Sequence, residues 1–206
     1  RSPACPVNVS DSSLSSTYLA NDSDTFDALA AKVKQLRVGG FHVFGGSEPI
    51  PNVLLDNHYG SVILGQPFAA ASLLNRLQAL STLPLLNTAD FEAGIGFRIS
   101  GATVFPRAMA IGAAGEDRLA YDAGRVTALE ARAIGVHVNF APIADVNNNP
   151  RNPVINTRAF GEAPEAVGRL ASAYIRGLHA GGMLATLKHF PGHGDTDVDS
   201  HIGLPI

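Results

Sequence analysis

The sequence has a single cysteine, Cys5. An internal disulfide is therefore excluded, and one thiol says little about redox compartment. No run of about 18 apolar residues occurs, so no membrane-spanning helix is expected. Charged residues make up only 16% of the chain, and the formal net charge of −3 offers no cationic excess for nucleic acid or an anionic membrane. No G-x-G-x-x-G or Walker sequence follows any strand candidate, which counts against a phosphate-cradling nucleotide site. No two histidines have the H-E-x-x-H arrangement, and no cysteine lies near the His-rich segment, so metal is the minority reading of that segment. No internal repeat is present. The chain opens on Arg1 rather than Met, which suggests a removed leader or tag, or a piece of something longer.

What is present suits one globular domain. Hydrophobic residues make up 46% of the 206, enough for a sizeable core. Residues 1–16 are rich in Ser, Pro, Asn and Asp and read as an irregular lead-in; residues 17–206 are taken as the domain. Within it, helix and strand signals alternate. Helical periodicity covers residues 26–36, with Ser23 or Asp24 as cap and Gly39-Gly40 as stop. A second helix is expected over 68–80, with Pro67 in its first turn, a long one over 113–133 stopped by Gly135, and another over 163–179 ended by Gly181-Gly182. Short apolar strands are expected at 41–44, 83–89, 136–141 and 183–187. Strands that alternate with helices predict parallel βα units. Two architectures fit, a doubly wound open sheet and a (β/α)₈ barrel, and both place ligands at the carboxyl ends of strands. Asp90, Asn139 and Lys188-His189 sit at such ends.

The chemistry concentrates in Lys188-His189-Phe190-Pro191-Gly192-His193-Gly194-Asp195-Thr196-Asp197-Val198-Asp199-Ser200-His201. Asp199 can orient the His201 imidazole for general acid/base work; a solvated loop with a local Asx turn explains the same spacing equally well. Lys188 ends an apolar strand and needs either a ligand or a carboxylate such as Asp90 or Asp145. His189, His193, Asp195, Asp199 and His201 together allow the alternative of a metal-dependent hydrolase. Asp90, followed eight residues later by Arg98, can accept hydrogen bonds from two sugar hydroxyls while the guanidinium braces it; Glu92 reads as a structural ion pair. The loop Asn147-Asn148-Asn149-Pro150-Arg151-Asn152-Pro153 is mostly conformational, and Arg158 downstream is the member placed to reach a ligand. His42, His137 and His179 are assigned no role.

These residues resemble the N-terminal catalytic domain of family three glycoside hydrolases, in the β-N-acetylglucosaminidase branch. The Lys188–His201 segment resembles that branch's Lys-His-Phe-Pro-Gly-His-Gly…Asp-Ser-His signature, and Asp90-Phe91-Glu92-Ala93-Gly94 its Asp-x-Glu-Gly-Gly loop. Phe140-Ala141-Pro142-Ile143-Ala144-Asp145-Val146, Arg158-Ala159-Phe160-Gly161 and Phe105-Pro106-Arg107 also match. The resemblance implies an α/β fold of (β/α)₈ TIM-barrel type, of which this chain holds about the first half. It implies retaining hydrolysis of terminal β-linked N-acetylglucosamine, with His201 as acid/base, Asp199 as its partner, and Asp90, Arg98, Arg158, Lys188 and His189 binding the sugar. No metal or cofactor is implied, the partner is an N-acetylglucosamine-containing glycoside, and cell-wall recycling is the default setting. Location stays open between cytoplasm and export. Two departures stand out. Ala93 replaces a glycine, at a cost of about 1 kcal/mol if that position needs positive φ. No Asp or Glu matches the family's nucleophile, an Asp on a later strand. The 206-residue chain is thus expected to be inactive alone, to self-associate or to need a missing half; a non-catalytic carbohydrate-binding fragment is the remaining alternative.

Overall fold

The computed structural model describes residues 26–43, 67–99 and 101–204. The lead-in, the proposed cap at Ser23 or Asp24, and Phe44 lie outside these residues. Helix α1 (Phe26–Ala31) runs into a wider π-type turn (Lys32–Leu36) that Arg37 closes in the left-handed conformation, φ 51°. Strand β1 (His42–Val43), helix α2 (Pro67–Leu80), strand β2 (Thr88–Ala89), helices α3 (Ala108–Ala114) and α4 (Asp117–Ala133), strand β3 (Val138–Asn139), helix α5 (Pro164–Ala180) and strand β4 (Leu184–Ala185) follow. The helix expected to run unbroken from 113 into α4 is interrupted. Gly115 takes φ 71° and caps α3 by donating its N–H to the Ile111 carbonyl, a left-handed stop that glycine adopts without Cβ strain.

The four strands are parallel and lie in the order β1-β2-β3-β4. Their register aligns His42, Thr88, Val138 and Leu184 in one row and Val43, Ala89, Asn139 and Ala185 in the next. The order decides between the two architectures left open by the sequence. A doubly wound sheet reverses its strand order at a switch point; here every new strand adds to the same edge, as a barrel requires. The regular ladders are shorter than the apolar runs suggested. Pro142 has no N–H to give to a ladder, and pairing resumes beyond it at Ile143 opposite Lys188.

Alternation along the strands sorts the two faces. Val43, Ala89 and Met183 enter the main core with Leu73, Leu77, Ala128, Leu170 and Leu178 from the helices. On α4 the buried positions are Ala120, Ala123, Gly124, Thr127, Ala128 and Ala131, the 3–4 spacing of one helical face. α5 answers with Val167, Leu170, Ala171, Tyr174, Gly177 and Leu178. The two helices touch backbone to backbone: a Cβ on Gly124 would lie 2.2 Å from the Tyr174 carbonyl oxygen, and one on Gly177 2.1 Å from that of Tyr121. The opposite row of the sheet, with Leu184 55% exposed, is not covered by these helices.

Candidate active site

The carboxyl ends of β2, β3 and β4 converge on one network of charged side chains. Asp90 follows β2 directly, and two residues on Glu92 is almost fully buried, its side chain 9% exposed. Lys188, just past β4, donates from Nζ to Asp90 Oδ1 at 2.6 Å and lies 2.8 Å from Glu92 Oε1. Arg158 donates to both Glu92 oxygens, through Nε at 3.0 Å and Nη2 at 2.9 Å, the two-pronged geometry that gives guanidinium–carboxylate pairs their direction. Arg107 reaches within 4.0 Å of the same carboxylate. His189 Nε2 stands 3.4 Å from Arg158 Nη2, and its Nδ1 lies 2.7 Å from Asp145 Oδ2. The peptide bonds Ala141–Pro142, Lys188–His189 and Phe190–Pro191 are cis.

Four of the five residues assigned to sugar binding, Asp90, Arg158, Lys188 and His189, are therefore joined through hydrogen bonds and ion pairs. The fifth, Arg98, packs its guanidinium 4.5 Å from the Phe97 ring centroid and adds its charge to the field at Asp90 and Glu92. The Lys188 alternative of a carboxylate partner holds for Asp90, with Glu92 as a second; Asp145 serves His189 instead. Glu92 is the structural ion pair expected, but its partners are two of the proposed ligand contacts. The sequence reading passed over Arg107, the pairing of Asp145 with His189, and His42, whose Nε2 sits 3.6 Å from Asp90 Oδ2 and whose ring stacks on Phe140 at 5.2 Å.

The loop carrying Asp90 and Glu92 is held from below. Asn139 is fully buried; its Oδ1 accepts from the Phe91 N–H at 2.9 Å and its Nδ2 donates to the Phe91 carbonyl at 3.2 Å. The Tyr174 hydroxyl donates to that same carbonyl at 3.2 Å, and burial pushes its pKa up to about 12, so it remains a donor. Asn139, the polar residue at the end of β3, clamps the neighbouring loop. Ala93 incurs no strain, because it is not among the non-glycine residues with positive φ; Gly94 carries that conformation, φ 82°.

Burial by itself would raise the Asp90 and Glu92 pKa values. For Asp90 the His42 imidazole and the Lys188 ammonium outweigh it and hold the carboxyl well below its ordinary range. For Glu92, Arg158 and Lys188 bring the pKa down from 4.5 to about 2. A carboxyl whose pKa is depressed on folding adds stability above its unfolded pKa and loses it as pH falls through the folded value. The unfolding midpoint is therefore expected to drop between pH 4.5 and about 2, and Glu92→Gln to remove part of that slope. Thermal melts across this range check it; a Glu92→Gln protein with the wild-type slope would refute it.

Asp199 and His201 pair on the loop after β4. Asp199 Oδ1 accepts the His201 backbone N–H at 2.9 Å and lies 2.6 Å from Nδ1. The local turn and the oriented imidazole, posed as alternatives, are both present. The backbone N–H of His201 lowers the Asp199 pKa, against a small opposing effect of burial. His201 is 55% exposed at its side chain, whereas Lys188 is 16% exposed. The Asn-Pro-Arg loop braces the intervening segment: buried Asn152 donates to the His193 carbonyl at 2.6 Å and the Thr196 carbonyl at 2.9 Å, and Asn149 to the Asp195 carbonyl. Gly194 is required there, since a Cβ would come within 1.8 Å of the Val146 carbonyl oxygen. Among the described residues no three His, Cys, Asp or Glu side chains gather as a metal-ion site; His189 turns to Asp145, His193 to Thr196 and His201 to Asp199.

The family model for the glycosyl hydrolase family 3 N terminal domain matches residues 28–206. The chain belongs to this family. Its curated relatives include beta-hexosaminidase A of Pseudoalteromonas piscicida, 46% identical over an alignment of 144 positions, with 65% of this chain and 24% of that protein covered. The beta-hexosaminidase of Idiomarina loihiensis is 37% identical over 155 residues, 71% of this chain and 46% of the relative. Among solved structures, a family 3 beta-N-acetylglucosaminidase from Paenibacillus superposes with a TM-score of 0.75 at 37% identity, over 97% of this chain and 36% of that one. NagZ from Neisseria gonorrhoeae, in complex with N-trifluoroacetyl-D-glucosamine, gives a TM-score of 0.72 at 31% identity, over 91% of this chain and 52% of its own. This family 3 chain thus spans between a quarter and a half of the length of these relatives. Its fold is accordingly the TIM-barrel type, with four parallel strands described.

Proposed function

We propose that this chain supplies the sugar-gripping strand tips and the acid/base loop of a retaining glycosidase acting on terminal β-linked N-acetylglucosamine. The observation that carries the reading is the 2.6 Å pairing of Asp199 with His201 Nδ1 on the loop that leaves the Lys188-His189 strand end. A carboxylate on Nδ1 fixes the ring and steadies the imidazolium, leaving Nε2 on the far edge to exchange protons. In the first step His201 gives its proton to the departing glycosidic oxygen as a carboxylate displaces it and forms a glycosyl-enzyme bond. In the second it takes a proton from water as water breaks that bond. Asp90, Lys188, Arg158, Arg98 and His189 bind ring hydroxyls and the acetamido group. The hexosaminidase relatives and the N-trifluoroacetyl-glucosamine bound to NagZ support this choice of sugar.

The nucleophilic carboxylate has no counterpart in sequence context among residues 1–206, so the 206-residue chain is proposed to be inactive alone. Exposed Leu184 and Leu187 beside β4 support its association with further chain, its own or a second copy's. The test is turnover of p-nitrophenyl N-acetyl-β-glucosaminide and the matching β-glucoside by the 206-residue chain and by the longest natural protein that contains it. Preference of the long form for the N-acetylated substrate, with the β-anomer released first, is expected. An α-anomer first, a preference for glucoside, or full activity in the 206-residue chain would each overturn a distinct part of the reading.

A further inference from the structure

Asp145 lies at the base of the site, with its side chain 0% exposed. Its oxygens are divided between two points of one loop. Oδ2 accepts the His189 backbone N–H at 3.1 Å and meets His189 Nδ1 at 2.7 Å; Oδ1 accepts the His193 backbone N–H at 2.6 Å. Burial alone would raise the Asp145 pKa, but these donors hold it below its ordinary range. An ionised carboxylate only accepts, so the proton between the two side chains sits on Nδ1. The other edge of the ring gives the same answer independently. Arg158 Nη2 stands 3.4 Å from Nε2, and a guanidinium only donates, so Nε2 is the bare nitrogen. The third neighbour, the His193 ring, meets His189 edge-on at 6.3 Å between centroids and leaves this pattern intact. The backbone secures the pairing: the Ala144 N–H donates to the Lys188 carbonyl at 2.7 Å, immediately before Asp145 on one side and His189 on the other.

We infer that Asp145 is a positioning residue: between its carboxylate and the Arg158 guanidinium it holds His189 in the Nδ1–H tautomer and presents Nε2 as a hydrogen-bond acceptor at the strand-end site. This deepens the sugar-binding reading and, for the ligand's side of the contact, rests on it. Lys188, Arg158 and Arg98 only donate. His189 Nε2 and the carboxylates are the groups that accept, so a ring hydroxyl set between Arg158 and His189 accepts from the first and donates to the second. An ether or fluorine at that position satisfies only the guanidinium, and a site that pairs a hydroxyl discriminates strongly against an analogue lacking its proton.

The test is a long-range ¹H–¹⁵N correlation spectrum of the protein with ¹⁵N-labelled histidine, in which each ring nitrogen reports whether it carries a proton. His189→Gln identifies the His189 signals by their loss. In the wild-type protein, His189 Nδ1 is expected in the protonated range and Nε2 in the bare range. In Asp145→Ala, the Nε2 signal is expected to shift toward the protonated range as the tautomer is released, while the Asp199–His201 signals stay in place. A wild-type His189 carrying its proton on Nε2 overturns the inference. So does an unchanged His189 pattern in folded Asp145→Ala, which would assign the tautomer to Arg158 alone. Should Asp145→Ala not fold, the wild-type spectrum still decides the tautomer, and Asp145→Val, which fills more of the side-chain space and offers no acceptor to Nδ1–H, replaces it with the same expected shift. None of these readouts needs turnover, so their failure is separate from failure of the glycosidase reading, which the substrate assay decides.

Discussion

Glu92→Gln is expected to destabilise the protein by about 3 kcal/mol and to weaken sugar binding at the same time. The stability figure follows from the drop of the Glu92 pKa from 4.5 to about 2 on folding, at about 1.4 kcal/mol per unit. It agrees with the roughly 3–5 kcal/mol lost when one partner of a buried pair is removed. The physical reason is the charge balance of the site. Four cations, Arg98, Arg107, Arg158 and Lys188, stand around Asp90, Glu92 and Asp145. Neutralising Glu92 turns an excess of one positive charge into two around a side chain only 9% exposed. Gln keeps the length of the side chain, but its amide nitrogen faces an Arg158 donor whichever way it turns, and Lys188 as well when it takes the Oε1 position. Arg158 loses its two-pronged partner and with it the fixed direction of its guanidinium. Unfolding by urea and calorimetric titration with N-acetylglucosamine measure the two effects. A loss of stability without loss of affinity would show that Glu92 serves the fold alone; neither loss would remove it from the network.

The division of what could be read from the sequence follows the range of each interaction. The helical periods of α4 and α5 and the positions of the four strands are local, and the chain states them directly; the spacing of Asp199 and His201 is local too, but it fits a simple turn as well as an oriented imidazole. The expected helix, continuous through Gly115, is broken there; apolar content does not reveal a single left-handed residue. The site's internal wiring is long-range. Glu92 and Arg158 are 66 positions apart, Asp90 and Lys188 98, Asp145 and His189 44. Nothing in the sequence around Asp145 distinguishes the partner of His189 from the partner of Lys188; that depends on Ile143 pairing with Lys188 in the sheet. Once this register is set, Ala144 lies opposite the Lys188 carbonyl and the next carboxylate falls under the next residue's ring. Asn139 illustrates the same limit. Its place at a strand end was visible, but the loop that it clamps, at Phe91, was not.

His201→Ala is expected to lower kcat by about 10²–10⁴-fold, the usual contribution of a positioned proton donor and acceptor, in the longest natural form of the protein. Binding of N-acetylglucosamine should be nearly unchanged, since the groups proposed to grip the sugar stand at the strand tips and draw their order from Glu92, Asp145 and Asn139 rather than from the loop after residue 198. The size of the loss should depend on the leaving group. A poor leaving group needs the proton in the first step and should show the full effect. A nitrophenolate departs without help, so the first step is spared and the loss moves to the attack of water, where a glycosyl-enzyme should accumulate and give a burst. Asp199→Asn separates orientation from chemistry. Its imidazole remains, and the Asn oxygen can still receive Nδ1–H, but the fixed charge that steadies the imidazolium is gone, so its loss should be smaller than that of His201→Ala and of the same leaving-group pattern. Added to His201→Ala, it should cost little more, because the proposed mechanism makes the two residues one unit. Unchanged turnover in His201→Ala would mean that the 2.6 Å pair only shapes the loop and that the proton is carried by another group, whereas losses in the double variant that multiply would mean that Asp199 acts independently of His201.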